Sequence, residues 1–191
     1  MRIIAGSLRG RQIKTPEDPG LRPISGRIKQ SLFDMLTPRL PGARLLDLFA
    51  GTGAVGIEAL SRGASFVFFV ERNRRVLAIL GENLKALGLE SRARAQPGDA
   101  LEDLSWIPFR AGVETFDIIF LGPPYKDVDK RPLAYSTPVL ARVVEARLLA
   151  PGGVVVLQHQ VKEEVALPPG LECARQVKYG DTYLDFLKAA A

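Results

Sequence analysis

From Arg44 onward the chain alternates between two hydrophobic rhythms, and that alternation restricts it to very few folds. Near-continuous apolar runs stand at "RLLDLF" (44–49), "FVFFVE" (66–71), "FDIIFL" (116–121) and "VVVLQHQ" (154–160), with a shorter strand expected at "RARAQ" (92–96). Between them the apolar residues fall at helical spacing: after the glycines to Arg62, from Asn73 to Leu87 where Gly88 stops the helix, over "DALEDLSW" (99–106), and across 133–149. Strands that are apolar throughout and joined by helices predict a parallel sheet covered on both faces. The closing segment, "LECARQVKYGDTYLDFLKA", reads as two strands joined at Tyr179-Gly180-Asp181, an antiparallel addition. No internal repeat or low-complexity segment interrupts the pattern.

Ahead of this alternation lies a different segment. "RIIAGSLRGRQIKT" predicts a small hairpin around a Gly-Ser turn, and "PEDPGLRP" (16–23) a loop. From Ser25 to Leu40 the residues Ile28, Leu32, Phe33, Leu36 and Leu40 repeat at helical spacing, with Ser25 as N-cap and Pro41-Gly42 as the stop. Two regions follow: a basic extension over 1–40 and a main domain over 41–191. The charge is placed unevenly. Residues 1–30 hold Arg2, Arg9, Arg11, Lys14, Arg22, Arg27 and Lys29 against Glu17 and Asp18, so the chain's whole net charge of +5 sits at one end. A basic arm on a neutral body points to a polyanion, foremost nucleic acid, or else to a solvated tail.

Cys173 and His159 are the only residues of their kinds, which excludes a disulfide within the chain and leaves little for a metal site. No apolar stretch approaches a membrane span and the first residues lack a signal-peptide core, so a cytoplasmic protein is expected. A monomer is expected as well.

"DLFAGTGAVG" sets Gly51, Gly53 and Gly56 in G-x-G-x-x-G spacing between a strand and a helix, and Glu71 closes the next strand. Such glycines permit a tight turn and a close ligand approach, and an acid at the second strand's end can accept from ribose hydroxyls. Nicotinamide dinucleotides and S-adenosylmethionine share this pattern. Asp47 separates them: a carboxylate inside the first strand repels pyrophosphate but can accept from the ammonium of a methionine moiety. Asp99 can accept from an adenine amino group, or cap a helix. The strand Phe116–Leu121 empties into Gly122-Pro123-Pro124-Tyr125, which resembles the active-site loop of amino-methyltransferases. In that loop an Asp or Asn stands where this chain has Gly122. Prolines donate no amide hydrogen, so the loop presents carbonyls, and Tyr125 is the ring that would stack on an extruded base.

With these residues together, the chain resembles the RsmD family of bacterial guanine-N2 methyltransferases of small-subunit ribosomal RNA. The resemblance runs through "RIIAGSLRGRQI", "GLRPISGRIKQSLF", "LDLFAGTGAVGIEALSRGA", "VERN", "GDA" and "KYGDTYLDF". It implies an α/β, Rossmann-like class I methyltransferase: a seven-stranded, mostly parallel sheet with an antiparallel last strand, plus an N-terminal β-hairpin and helix that contact RNA. It implies S-adenosyl-L-methionine as cofactor, held by Asp47, Phe49, Ala50, Gly51, Gly53, Glu71, Arg72, Asp99 and Ala100. Gly122, Pro123, Pro124 and Tyr125 take the catalytic loop. Arg9, Arg11, Arg22 and Arg27 would meet small-subunit rRNA or the assembling 30S particle. Gly122 departs from the family pattern and implies weakened turnover through one lost acceptor. Three other readings stay open: a nicotinamide-dependent oxidoreductase, a DNA adenine-N6 methyltransferase, and a ribosome-assembly binding protein without catalysis.

Overall fold

The structure, a computed structural model, describes residues 1–16, 24–127, 129 and 131–190. Among these, seven strands form one sheet in the order β3-β2-β1-β4-β5-β7-β6. The strands are β1 (Arg44–Asp47), β2 (Phe66–Glu71), β3 (Ala93–Pro97), β4 (Phe116–Leu121), β5 (Leu149–Gln160), β6 (Leu171–Tyr179) and β7 (Thr182–Ala189). β1 to β5 pair in parallel, while β7 lies antiparallel between β5 and β6. The helices are α1 (Gly26–Leu36), α2 (Ala54–Ser61), α3 (Arg74–Ala86), α4 (Ile107–Ala111) and α5 (Ser136–Glu145).

Successive side chains of a strand point to opposite faces, so each apolar strand feeds two cores. Leu45, Val67, Phe69, Ile118 and Phe120 meet α1, α2 and α3 on one face. Leu46, Phe68, Val70, Ile119 and Leu121 meet α4 and α5 on the other. This is why the strands read as unbroken hydrophobic runs. The chain proceeds outward from β1 to β3 and then returns to β4, so the strand order reverses between β1 and β4. A crevice opens at the carboxyl ends of the strands wherever such a reversal occurs.

Three local expectations are corrected. Residues 99–106 are not helical; the helix on this stretch is α4, starting at Ile107. Asp99 accepts from the Leu101 amide and Asp103 from the Ser105 amide, and these local bonds compete with a helical ladder. The helix from Ser25 ends at Leu36 and continues as a 3₁₀ turn over Thr37–Arg39, where Pro38 removes an amide donor. The N-terminal hairpin forms one β-bridge, Arg2 with Gln12, instead of two strands. Its ladder stops because its donors are used elsewhere: Ile4 and Ala5 give their amides to the Glu58 carboxylate, each at 2.9 Å, and Ser7 gives its own to the Ser61 carbonyl at 2.8 Å. A Cβ at Gly6 would stand 1.9 Å from that carbonyl oxygen, so glycine is required there.

The extension is sewn into the main body. Ile3, Ile13, Leu32 and Phe33 belong to the same core as Leu45 and Val67. Lys29 reaches Glu58 at 2.9 Å with both side chains buried, and Arg62 holds the other carboxylate oxygen at 2.9 Å. Lys29 therefore leaves the basic arm's exposed charge, and Lys14 is offset by Glu82 at 3.0 Å.

Candidate active site

A cleft of about 1100 Å³ lies over the carboxyl ends of β1 to β4, at the strand-order reversal. Strand pairing delivers its parts. Asp47 ends β1, Glu71 ends β2, Gly98-Asp99-Ala100 follow β3, and Gly122 to Tyr125 follow β4. Backbone bonds stitch these ends together: Leu48 N to Phe120 O at 3.2 Å, Ala50 N to Val70 O at 3.1 Å, and Gly98 N to Glu71 O at 3.3 Å.

The glycines of the first turn serve three different needs. Gly51 has φ +53° and open space where a Cβ would be, so its backbone faces the cleft directly. Gly53 has φ +89° as the N-cap of α2. A Cβ at Gly56 would stand 2.2 Å from the Phe69 ring, so α2 packs on β2 only because that position is bare.

Asp47 is buried, and its Oδ1 has no partner among the described residues. Desolvation pushes its carboxyl from 3.8 up to about 7; the Phe49 and Gly56 amides pull it down less, and the Glu71 charge adds to the rise. A dry, half-satisfied carboxylate at the floor of a cleft suits a cation with N–H donors. Glu71 accepts from Gly51 N at 2.9 Å through one oxygen and from Asn73 N at 2.8 Å through the other. Its carboxylate is thereby held at the rim with lone pairs to spare for hydroxyl donors. Asp99 serves its own turn through Oδ1 and has the Arg72 guanidinium 3.7 Å from Oδ2. Phe49, Ala50 and Ala100 complete the walls. The three carboxylate acceptors and the bare turn fit a ligand that carries an ammonium, a ribose and an adenine.

Across the cleft, Tyr125 Oη accepts from Gln158 Nε2 at 2.9 Å and donates to Thr182 Oγ1 at 3.3 Å. Gly122 does not have the positive φ that would demand glycine. A Cβ there would stand 2.9 Å from the Phe120 ring, so a side chain at 122 requires that ring to shift. Asp127 accepts from Arg131 N at 2.8 Å and closes its own turn.

The arm borders this cleft. Arg27 and Ile28 of α1 line it, with Thr15 and Ile24. Arg9, Arg11 and Arg27 are exposed, Arg11 also donating to the Ala86 carbonyl at 3.0 Å; Arg22 lies outside the described residues. Ser31 of α1 bonds Tyr179, fastening α1 to the β6–β7 turn. Gln158, Tyr179, Asp181 and Thr182 also line the cleft, and sequence reasoning assigned none of them to the site. The signals were a polar Gln158 ending an apolar run and the segment "KYGDTYLDF", which holds the other three. Among the described residues no His, Cys, Asp and Glu cluster is placed to hold a metal, and no helix is long and apolar enough to cross a membrane.

The sequence profile described as conserved hypothetical protein 95 matches residues 1–188. The chain is 38% identical over 186 residues to YlbH of Bacillus subtilis, 95% of each chain, a protein provisionally named an rRNA methyltransferase. It is 39% identical over 126 residues to ribosomal RNA small subunit methyltransferase D of Escherichia coli, covering 66% of this chain and 61% of that one. A solved Escherichia coli structure, yhhF, provisionally described as a methyltransferase, superposes with a TM-score of 0.80 at 29% identity, covering 99% of this chain and 97% of that one.

Proposed function

The chain belongs to the family described as conserved hypothetical protein 95, the RsmD family, and on that premise we propose that it methylates the exocyclic N2 amino group of a guanine in small-subunit rRNA. The observation that carries this reading is Asp47, buried with one orphaned oxygen, lining the same cleft as the Pro-Pro-Tyr loop. S-adenosylmethionine, when bound, supplies a methyl group on a sulfonium centre, so activation of the leaving group comes with it. Asp47 receives the ammonium, Glu71 the ribose hydroxyls and Asp99 the adenine amino group. Tyr125, its hydroxyl anchored at both sides, presents its ring to the target base, and the carbonyls of the proline loop face the amino group. The protein's contribution is thus placement and orientation of the amine.

Calorimetric titration is expected to show saturable S-adenosylhomocysteine binding and none of NAD. NAD binding with no response to S-adenosylhomocysteine would return the site to the oxidoreductases. Mass mapping of small-subunit rRNA, after incubation with labelled cofactor, is expected to place one new methyl on guanine N2. A methyl on adenine N6, or none, defeats the assignment.

The arm over residues 1–40 is the proposed RNA-binding surface. Replacing Arg9, Arg11, Arg22 and Arg27 with alanine should flatten the dependence of log affinity on log salt by about 0.7–0.9 for each phosphate that is no longer neutralised. Cofactor affinity should not change. An unaltered salt slope would make these arginines a solvated surface only.

A further inference from the structure

Gly122 leaves the loop without a side-chain acceptor, and the neighbouring strand carries one. The β4–β5 ladder pairs Phe120 with Val156 and Leu121 with Leu157. The pairing ends there; Gln158 is the next residue of β5, on the sheet face of Val156, and it lines the same cleft as Gly122. A Cβ at 122 would stand 2.9 Å from the Phe120 ring, which would have to shift to admit a side chain, whereas the adjacent strand already carries an amide side chain at the cleft.

The hydrogen-bond chain around Tyr125 fixes what Gln158 offers. Gln158 Nε2 reaches Tyr125 Oη at 2.9 Å, Tyr125 Oη reaches Thr182 Oγ1 at 3.3 Å, and Thr182 Oγ1 reaches Asp181 Oδ1 at 3.5 Å. Tyr125 Oη donates to Thr182 Oγ1, and Thr182 Oγ1 to Asp181 Oδ1. The Gln158 amide nitrogen must then be the donor to Tyr125. Its Oε1 is left as an acceptor, shielded from solvent and without a partner among the described residues, in a side chain that lines the cleft. Buried polar atoms are rarely left unpaired, and one that is calls for an explanation.

Resting on the methyltransferase reading above, we propose that the Gln158 amide oxygen accepts one hydrogen of the target amino group, the part Gly122 leaves unfilled. Holding that hydrogen turns the nitrogen's lone pair out of conjugation with the purine and toward the methyl carbon. The lone pair forms the new N–C bond as the C–S pair returns to sulfur, and the nitrogen then releases one proton to water. Gln158 is on this account a catalytic residue, and Thr182 and Asp181 are positioning residues that set its orientation through Tyr125.

The test uses the full chain, tritiated S-adenosylmethionine, and small ribosomal subunits from cells lacking this gene. Gln158→Met removes the acceptor at nearly constant length, and kcat should fall about tenfold to a hundredfold with KM for the particle unchanged, the pattern of an interaction made in the transition state. Gln158→Glu keeps an acceptor and should recover the rate to within about threefold of wild type, since Tyr125 can donate to it instead. Calorimetric titration with S-adenosylhomocysteine, expected unchanged, certifies that each variant is folded. A Met variant as fast as wild type, one altered only in KM, or Met and Glu variants equally slow would each overturn the role of Gln158 while leaving the methyltransferase reading intact. A wild-type protein that transfers no methyl to any small-subunit RNA would overturn that reading, and the proposal with it.

Discussion

Replacing Glu58 with alanine is expected to cost about 3–5 kcal/mol of folding stability, the range for breaking a buried ion pair by removing one partner. Glu58 is fully buried and receives four groups: the Ile4 and Ala5 amides, the Lys29 ammonium and the Arg62 guanidinium. Alanine strands Lys29, itself 1% exposed, and leaves two amides of the arm without an acceptor. For a chain of this size the melting temperature should fall by roughly 2–4 °C per kcal/mol, which thermal denaturation reads directly. Although burial opposes ionisation, the Ile4 amide and the Lys29 and Arg62 cations together hold the Glu58 carboxyl below its ordinary 4.5. A depressed carboxyl contributes stability that is complete above 4.5 and is lost as pH falls through its folded value. The Ala variant should therefore lose its deficit relative to wild type in that acid range. A loss under about 1 kcal/mol at neutral pH would show that the arm does not depend on this carboxylate.

Asp47→Asn should weaken S-adenosylhomocysteine binding by about 1.5–3 kcal/mol, roughly 10- to 150-fold, the contribution of a hydrogen bond to a charged group. The proposed ligand ammonium needs Asp47 ionised, and burial holds that carboxyl at about 7. Wild-type affinity should then decline as pH falls below about 7, whereas the Asn variant should show no such slope. Stability should move the other way. A carboxyl raised from 3.8 to about 7 stabilises the fold fully below 3.8, and that contribution is lost as pH rises through about 7. Asparagine carries no charge to bury, so the unliganded variant should melt above wild type at pH 8, with the gap narrowing as pH falls and closing near pH 3.8. Equal affinities for the two proteins at pH 8 would remove Asp47 from the ligand site.

The arrangement of layers was legible because strand and helix periods differ and the apolar runs are long. Val67 to Val70 reads as buried on both faces in the sequence and is so in the fold. The glycine turn that lines the cleft was legible for a related reason: a bare backbone, an acid within a strand and an acid at the next strand's end are all local. The segment over 99–106 was not legible, because a helical rhythm of apolar residues says nothing about Asp99 and Asp103 bonding their own turns.

By itself, the sequence determined the alternating sheet, the basic excess at one end, and which strand ends carry Asp47, Glu71, Asp99 and the Gly-Pro-Pro-Tyr loop. These follow from periodicity and spacing, which are properties of neighbours along the chain. Only the tertiary structure decided that Lys29 belongs to Glu58, 29 residues away, and not to a polyanion. Likewise it alone placed the Phe120 ring within 2.9 Å of a Cβ at 122, and Gln158 in the cleft that Gly122 also lines. Those assignments depend on strand register and on which side chain fills a shared volume. Register is set by long-range pairing, and packing is decided by atoms that meet only once the chain has folded.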